Sequence, residues 1–157
     1  MFRAKAALMW IVDILDKYGI PYQVEGGLAA NCYGSTRELV DIDIFIPSFG
    51  FDKISKDVKG YADFGPVFHT GTHWKIVYQI LNYRGQQIEI CDAGKAKYLD
   101  IQNNTWIERD IDFTNAETIE IFGISTKVIS KDDLLEYKSR VNREVDIIDI
   151  DQITNNE

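Results

Sequence analysis

The chain has 157 residues, 45% hydrophobic and 27% charged, with 11 Gly and 3 Pro. A chain of this size buries roughly two-thirds of its unfolded surface and supports a core of its own, which excludes disordered, collagen-like and staple-dependent classes. Lys and Arg number 17 against 25 Asp and Glu, a net charge of −8. That balance repels a phosphate backbone at long range and argues against bulk DNA or RNA binding, yet it tolerates one phosphorylated ligand brought in by a divalent metal.

Cys32 and Cys91 are the only cysteines and lack metal-type spacing. A reducing, cytoplasmic setting is therefore the expectation. Arg3 and Lys5 precede an apolar run over 6–12, but Asp13 and Asp16 interrupt it and no small-residue cleavage site follows, unlike a signal peptide. No stretch approaches the ~20 apolar residues of a membrane span, and no membrane partner is expected.

Residues 2–18 place Ala4, Leu8, Ile11, Leu15 and Tyr18 at helical spacing, with Gly19 where a C-terminal cap belongs. A short strand is predicted over 20–25, ending at Gly26-Gly27, and a short helix over 28–33. Gly34-Ser35-Thr36-Arg37 breaks that helix, and residues 40–46 alternate into a strand stopped by Pro47. A helix is expected over 51–59, then a loop over 60–71 with a short strand near Val67, because Gly and Pro punctuate the segment. Residues 74–83 and 86–91 read as one hairpin, and 117–128 as a second around Gly123. Ser130 with Asp133 resembles a capping box opening a single helix with an apolar stripe of Leu134, Tyr137, Val141, Val145 and Ile148. The pattern describes one domain over 1–153 with a polar, frayed tail at 154–157. The fold class is α+β, a mixed sheet packed against helices with a C-terminal helical segment.

Chemistry concentrates on Asp41-Ile42-Asp43. Side chains alternate along a strand, so both carboxylates leave one face and can flank a divalent cation. A bare D-x-D is more often the solvated face of a half-buried strand. Its context is Gly26-Gly27, Gly34 and Arg37 upstream. Glycines let backbone approach an anion, and a guanidinium can hold phosphate oxygens in a fork.

These residues resemble the nucleotidyltransferase superfamily that includes DNA polymerase beta, and within it the compact branch of lincosamide and aminoglycoside nucleotidyltransferases and abortive-infection toxin-like nucleotidyltransferases. Gly26, Gly27, Arg37, Asp41 and Asp43 match that motif in order and spacing. The resemblance implies a nucleotidyltransferase-like sheet and a third acid on a strand beside the D-x-D strand. Glu89 is the candidate, opposite in parity to Ile88 and Ile90, with Asp92 as the backup. Many relatives carry Asp there, and much of the superfamily has Ser where Gly27 stands; Ser35 is the substitute hydroxyl. Leu134 to Lys138, Arg143, Asp146 and Asp149 resemble the helical segment of the toxin-like branch, and Lys138 could reach phosphates, with intrahelical pairing of Arg143 and Asp146 as the alternative.

The resemblance implies an enzyme moving a nucleoside monophosphate from NTP to an acceptor hydroxyl with release of pyrophosphate. Asp41, Asp43 and Glu89 would hold Mg²⁺ or Mn²⁺, and Gly26, Gly27, Ser35, Arg37 and Lys138 would hold the nucleotide. The acceptor is a small molecule, a protein side chain or an RNA end. The alternative is a degenerate nucleotide-binding module, or a toxin–antitoxin component with a partner protein or a second copy. His69 and His73 are expected as structural or exposed rather than zinc ligands, because Gly71 lies between them and no third ligand is spaced nearby. Trp74, Tyr78 and Tyr83 are expected in the core or on the sheet surface, with one free to stack on a base.

Overall fold

The structure is a computed structural model and describes residues 2–156. Helix α1 (Phe2–Lys17) buries Ala4, Leu8, Ile11 and Leu15 along one stripe. Gly19 ends it in a left-handed turn at φ 63°. Strand β1 (Gln23–Glu25) leads directly into α2 (Gly26–Cys32), and β2 (Ile42–Ile46) returns beside it. Helix α3 (Gly50–Val58) is followed by a 3₁₀ turn, then β3 (Ala62–Thr70), β4 (Trp74–Tyr83), β5 (Gln86–Asp92), β6 (Lys97–Asp100) and β7 (Thr105–Glu108). A second 3₁₀ turn precedes β8 (Glu117–Ile121) and β9 (Ile124–Val128), and α4 (Lys131–Val141) and α5 (Glu144–Asn155) complete the described chain.

The strands form one mixed sheet in the order β7-β6-β4-β5-β2-β1-β9-β8, with β3 running along β4. Strand β2 is antiparallel to β1 and parallel to β5. Alternation splits the central strands between two cores. Ile42, Ile44, Ile46, Ile88 and Ile90 pack with α1 in the main core, while Phe45, Cys91, Ile76 and Ala96 form a smaller cluster. Asp43 and Glu89 share the parity of Phe45 and Cys91. The acids therefore lie on the less densely covered face. Among the described residues no helix is long and apolar enough to cross a membrane.

Four expectations need correction. Residues 62–70 are not a loop with a short strand but a nine-residue strand with every residue exposed. Its register shifts between Ala62 and Phe64 and between Phe64 and Val67, so the Gly65-Pro66 step is absorbed as an irregularity on an edge strand, where a missing N–H donor costs little. Strands β6 and β7 escaped notice because four residues each are too few to show a period. The predicted single C-terminal helix is two helices. Asn142 adopts a left-handed conformation (φ 54°) that ends α4, and Arg143 precedes α5 with its backbone N–H and guanidinium donating to the Asp146 carboxylate. Finally, α5 continues through Asn155, so residues 154 and 155 are helical rather than frayed, and the Asn156 amide donates to Gly34 O at 2.9 Å.

Candidate active site

The parallel pairing of β2 with β5 sets Asp43 directly beside Glu89. Asp41, two residues earlier on the same side, completes a triangle in which one carboxylate oxygen from each residue lies within 4.8 Å of the other two. Three hard oxygen donors at this separation fit the coordination sphere of Mg²⁺ or Mn²⁺. Burial raises the Asp43 carboxyl well above its ordinary value, and the charges of Asp41, Glu89 and Glu25 push it further. Burial also raises Asp41. It takes Glu89, with help from Asp41, up to about 7. A divalent cation would reverse this frustration, because it lowers the energy of every ionised carboxylate around it. The donor set therefore fits such a metal.

Gly26 makes the approach possible. Its φ is 60°, and a Cβ there would overlap the Asp43 carboxylate, so both backbone and space require glycine. Its N–H donates to the Tyr137 hydroxyl at 3.3 Å. Gly27 lies against Arg37, and a Cβ on it would stand 3.3 Å from Nη2.

The acids open into a cleft of about 550 Å³. Register orders its walls along β2. Arg37 and Arg143 act on Asp41 and Lys138 on Asp43, while along β2 past Asp43 come Phe45, Cys91 and Tyr78, with Ile76, Trp74, His69 and His73 also in the lining. One end is cationic and the other is aromatic. The Cys91 thiol is held well above its ordinary pKa by burial and by the neighbouring carboxylates, so it stays neutral.

The structure brings Asp41, Asp43, Glu89, Gly26, Gly27, Arg37 and Lys138 to one cleft. Ser35 is buried behind it, with its hydroxyl donating to Asp149 Oδ1 at 2.7 Å. Asp92 is remote from the acids; it accepts from the Ser48 hydroxyl at 2.6 Å and from the Gly94 N–H at 2.7 Å, which makes it a turn residue. Lys138 is buried and bonded at 3.0 Å to both Asp146 and Asp149. Because the helix breaks at Asn142, this meeting comes from packing α4 on α5 rather than from positions on one helix line. Arg143 and Asp146 do pair, at 2.8 Å, as the α5 cap. His69 and His73 line the cleft, and among the described residues neither belongs to a metal-compatible cluster.

Sequence reasoning missed Glu25, Arg109 and Tyr137 as site residues. Glu25 pairs with Asp43 across β1–β2 and is buried against Arg109 in an ion pair of 2.5 Å. The Arg109 guanidinium lies over the Phe45 and Tyr137 rings. The available signal was parity. Glu25 precedes the glycine pair at a position that a core-facing strand ordinarily fills with an apolar residue.

The fold, a strand ending in paired glycines, a short helix and a returning strand in a mixed sheet, is the one seen in solved structures of nucleotidyltransferases. The particular likenesses are to solved structures. A Thermotoga maritima protein proposed to be a nucleotidyltransferase superposes with a TM-score of 0.74 at 19% identity, over 98% of this chain and 94% of that one. The lincosamide antibiotic adenylyltransferase LnuA, solved with lincomycin bound, gives 0.62 at 17% identity, covering 94% of each chain. ANT(2'')-Ia in complex with adenylyl-2''-tobramycin gives 0.61 at 13% identity, over 96% of this chain and 87% of that one. No family model matches the sequence, and no curated protein does.

Proposed function

We propose that the protein transfers a nucleoside monophosphate from a nucleoside triphosphate to a hydroxyl group of an acceptor, releasing pyrophosphate. The observation that carries this reading is the in-register convergence of Asp41, Asp43 and Glu89 in one cleft, where burial raises all three carboxyls. These three residues would hold Mg²⁺ or Mn²⁺, which supplies charge neutralisation for the triphosphate and stabilises charge at the reacting phosphorus.

The chain's own residues divide the remaining work. Arg37 and Arg143, whose charges act on Asp41, give the cleft a positive side where the β- and γ-phosphates and the departing pyrophosphate belong, and buried Lys138 braces it through Asp146 and Asp149. Glu89, beside Asp43 on the parallel strand, would take the acceptor's proton or orient its hydroxyl. The acceptor oxygen bonds to the α-phosphorus as the bond to the bridging oxygen breaks, and pyrophosphate carries that oxygen away. The aromatic end with Phe45, Trp74 and Tyr78 offers stacking surface for a base or an acceptor body.

A small-molecule acceptor is favoured by the cleft's volume, within the range of small-ligand sites. The antibiotic-modifying activity named for LnuA and the product bound to ANT(2'')-Ia favour it as well. The test is pyrophosphate release from each of the four NTPs with Mg²⁺ and a pool of hydroxyl-bearing small molecules, proteins and RNA ends. Release that depends on Mg²⁺ and stops with EDTA supports the reading. Nucleotide binding without release in any combination transfers support to a degenerate binding module or a toxin–antitoxin component.

A further inference from the structure

Arg37 stands in the cleft wall, but it does not stand free. Its Nε and Nη2 donate to the two carboxylate oxygens of Asp149 at 3.1 and 3.0 Å, the parallel fork in which guanidinium and carboxylate planes fit best. Asp149 is fully buried. Its other donors are the Ser35 hydroxyl at 2.7 Å and the Lys138 ammonium at 3.0 Å. The backbone carrying Arg37 is braced from both sides. The Asn31 side-chain amide of α2 donates to Ser35 O and Arg37 O at 2.9 and 3.0 Å, and the Thr36 N–H donates to Gln152 Oε1 of α5 at 2.7 Å.

The consequence is directional. With Nε and one side of Nη2 committed to Asp149, the guanidinium lies with Nη2 close to Gly27 in the cleft lining, and Nη1 makes no hydrogen bond to the described residues. An arginine gripping a phosphate from a loop would lose its rotamer freedom at each binding event. This one has lost it on folding. Lys138 cannot supply the same contact cheaply, because its ammonium is buried and engaged by both Asp146 and Asp149.

We infer that Asp149 is a positioning residue of the nucleotide site: it aims the Arg37 guanidinium at the phosphates, and Ser35 and Lys138 act by holding Asp149. This rests on the reading above that Arg37 faces the triphosphate. Ser35 and Lys138 thereby serve the site one step removed from the ligand. The C-terminal helix α5, which contributes no acid to the metal triangle, becomes part of the machinery.

A double-mutant cycle separates positioning from simple stabilisation. Arg37→Ala, Asp149→Asn and the double variant are titrated with Mg²⁺ and inorganic triphosphate, a probe independent of base preference. Asp149→Asn is expected to weaken binding about tenfold, near the effect of Arg37→Ala, with the double variant no weaker than Arg37→Ala alone. Ser35→Ala, which removes one hydroxyl, serves if Asp149→Asn fails to fold, with an expected loss of about threefold. Effects that multiply in the double variant, or an Asp149→Asn protein that melts lower but binds as wild type does, would overturn the inference. The Arg37 Nε–H resonance gives a readout that needs no ligand. It should be slow to exchange in wild type and fast in Asp149→Asn or Ser35→Ala, and an unchanged resonance in these variants would overturn the positioning role. Wild-type protein with no affinity for Mg²⁺-triphosphate would instead overturn the proposed function, so the two failures look different.

Discussion

Asp41, Asp43 and Glu89 present like charges to one another, whereas across the cleft Lys138, Asp146, Asp149, Arg37 and Arg143 alternate in sign. The first group is raised in pKa by burial and mutual repulsion. In the second, burial alone would raise Asp146 and Asp149, yet hydrogen bonds and charge from Arg143, Arg37 and Lys138 outweigh it and hold both carboxyls below their ordinary value. Asp146 and Asp149 are thus neutralised in place, as Glu25 is by Arg109, whereas the acid triangle stays raised. On the function proposed above, a bound cation would supply the charge that the triangle lacks.

Substitutions can break this contrast in either direction. Asp43→Asn removes the carboxylate between Glu25 and Glu89 and should reduce pyrophosphate release by roughly a thousandfold. In metal-free buffer the same variant should melt no lower than wild type, since repulsion is relieved; a thermal melt beside the activity assay checks both halves. Lys138→Met attacks the balanced group. It leaves Asp146 and Asp149 buried without their shared cation and should cost about 3–5 kcal/mol in urea denaturation.

The two groups also predict opposite responses to pH. Glu89 titrates near 7 in the folded protein against an ordinary value of 4.5. The folded state therefore binds more protons between those values, and stability falls as pH rises through that window. Asp41 and Asp43 act in the same direction. Asp146 and Asp149, held below 3.8, contribute stability that is present above that value and lost as pH falls through their folded pKa. Melting temperature in EDTA should decline from pH 4.5 to 7, and saturating Mg²⁺ or Glu89→Gln should flatten the decline. A flat profile in EDTA would contradict the electrostatics assigned to the acid triangle.

The smallest effect tests the hinge that brings the balanced group together. Asn142 ends α4 at φ 54°, so Asn142→Ala should cost about 1 kcal/mol while Asn142→Gly should be near neutral by chemical denaturation.

The acid triangle was legible because parity is local. Asp41 and Asp43 share a face by alternation, and Glu89 differs from Ile88 and Ile90 by one position. Their meeting additionally required β5 to pair with β2 in the right register, which came from the family resemblance and not from periodicity. The α4–α5 network was half legible. Lys138, Arg143, Asp146 and Asp149 drew notice, but Asn142 reads as an ordinary helix residue until its left-handed conformation is seen, so the partners could not be assigned. Arg37 was found and its direction was not, because a fork donor fits a phosphate and a carboxylate equally well. Strand β3 was hidden by Gly65-Pro66, whose breaking signal holds for a central strand but not for an edge.

The parallel pairing of β2 with β5 also constrains the order of assembly. Asp43 and Glu89 become neighbours only after α3 and the β3–β4 hairpin have been made and the chain has crossed back over the sheet. A parallel contact of this kind must overcome the closure entropy of the whole intervening loop before it is rewarded. A chain that has emerged only as far as β4 therefore carries two of its acids and no third, and ambient divalent cation has little to seize upon during synthesis. On the proposed reading, metal capture would await the pairing of β5 with β2, and tight cation binding would report that this long-range contact has formed.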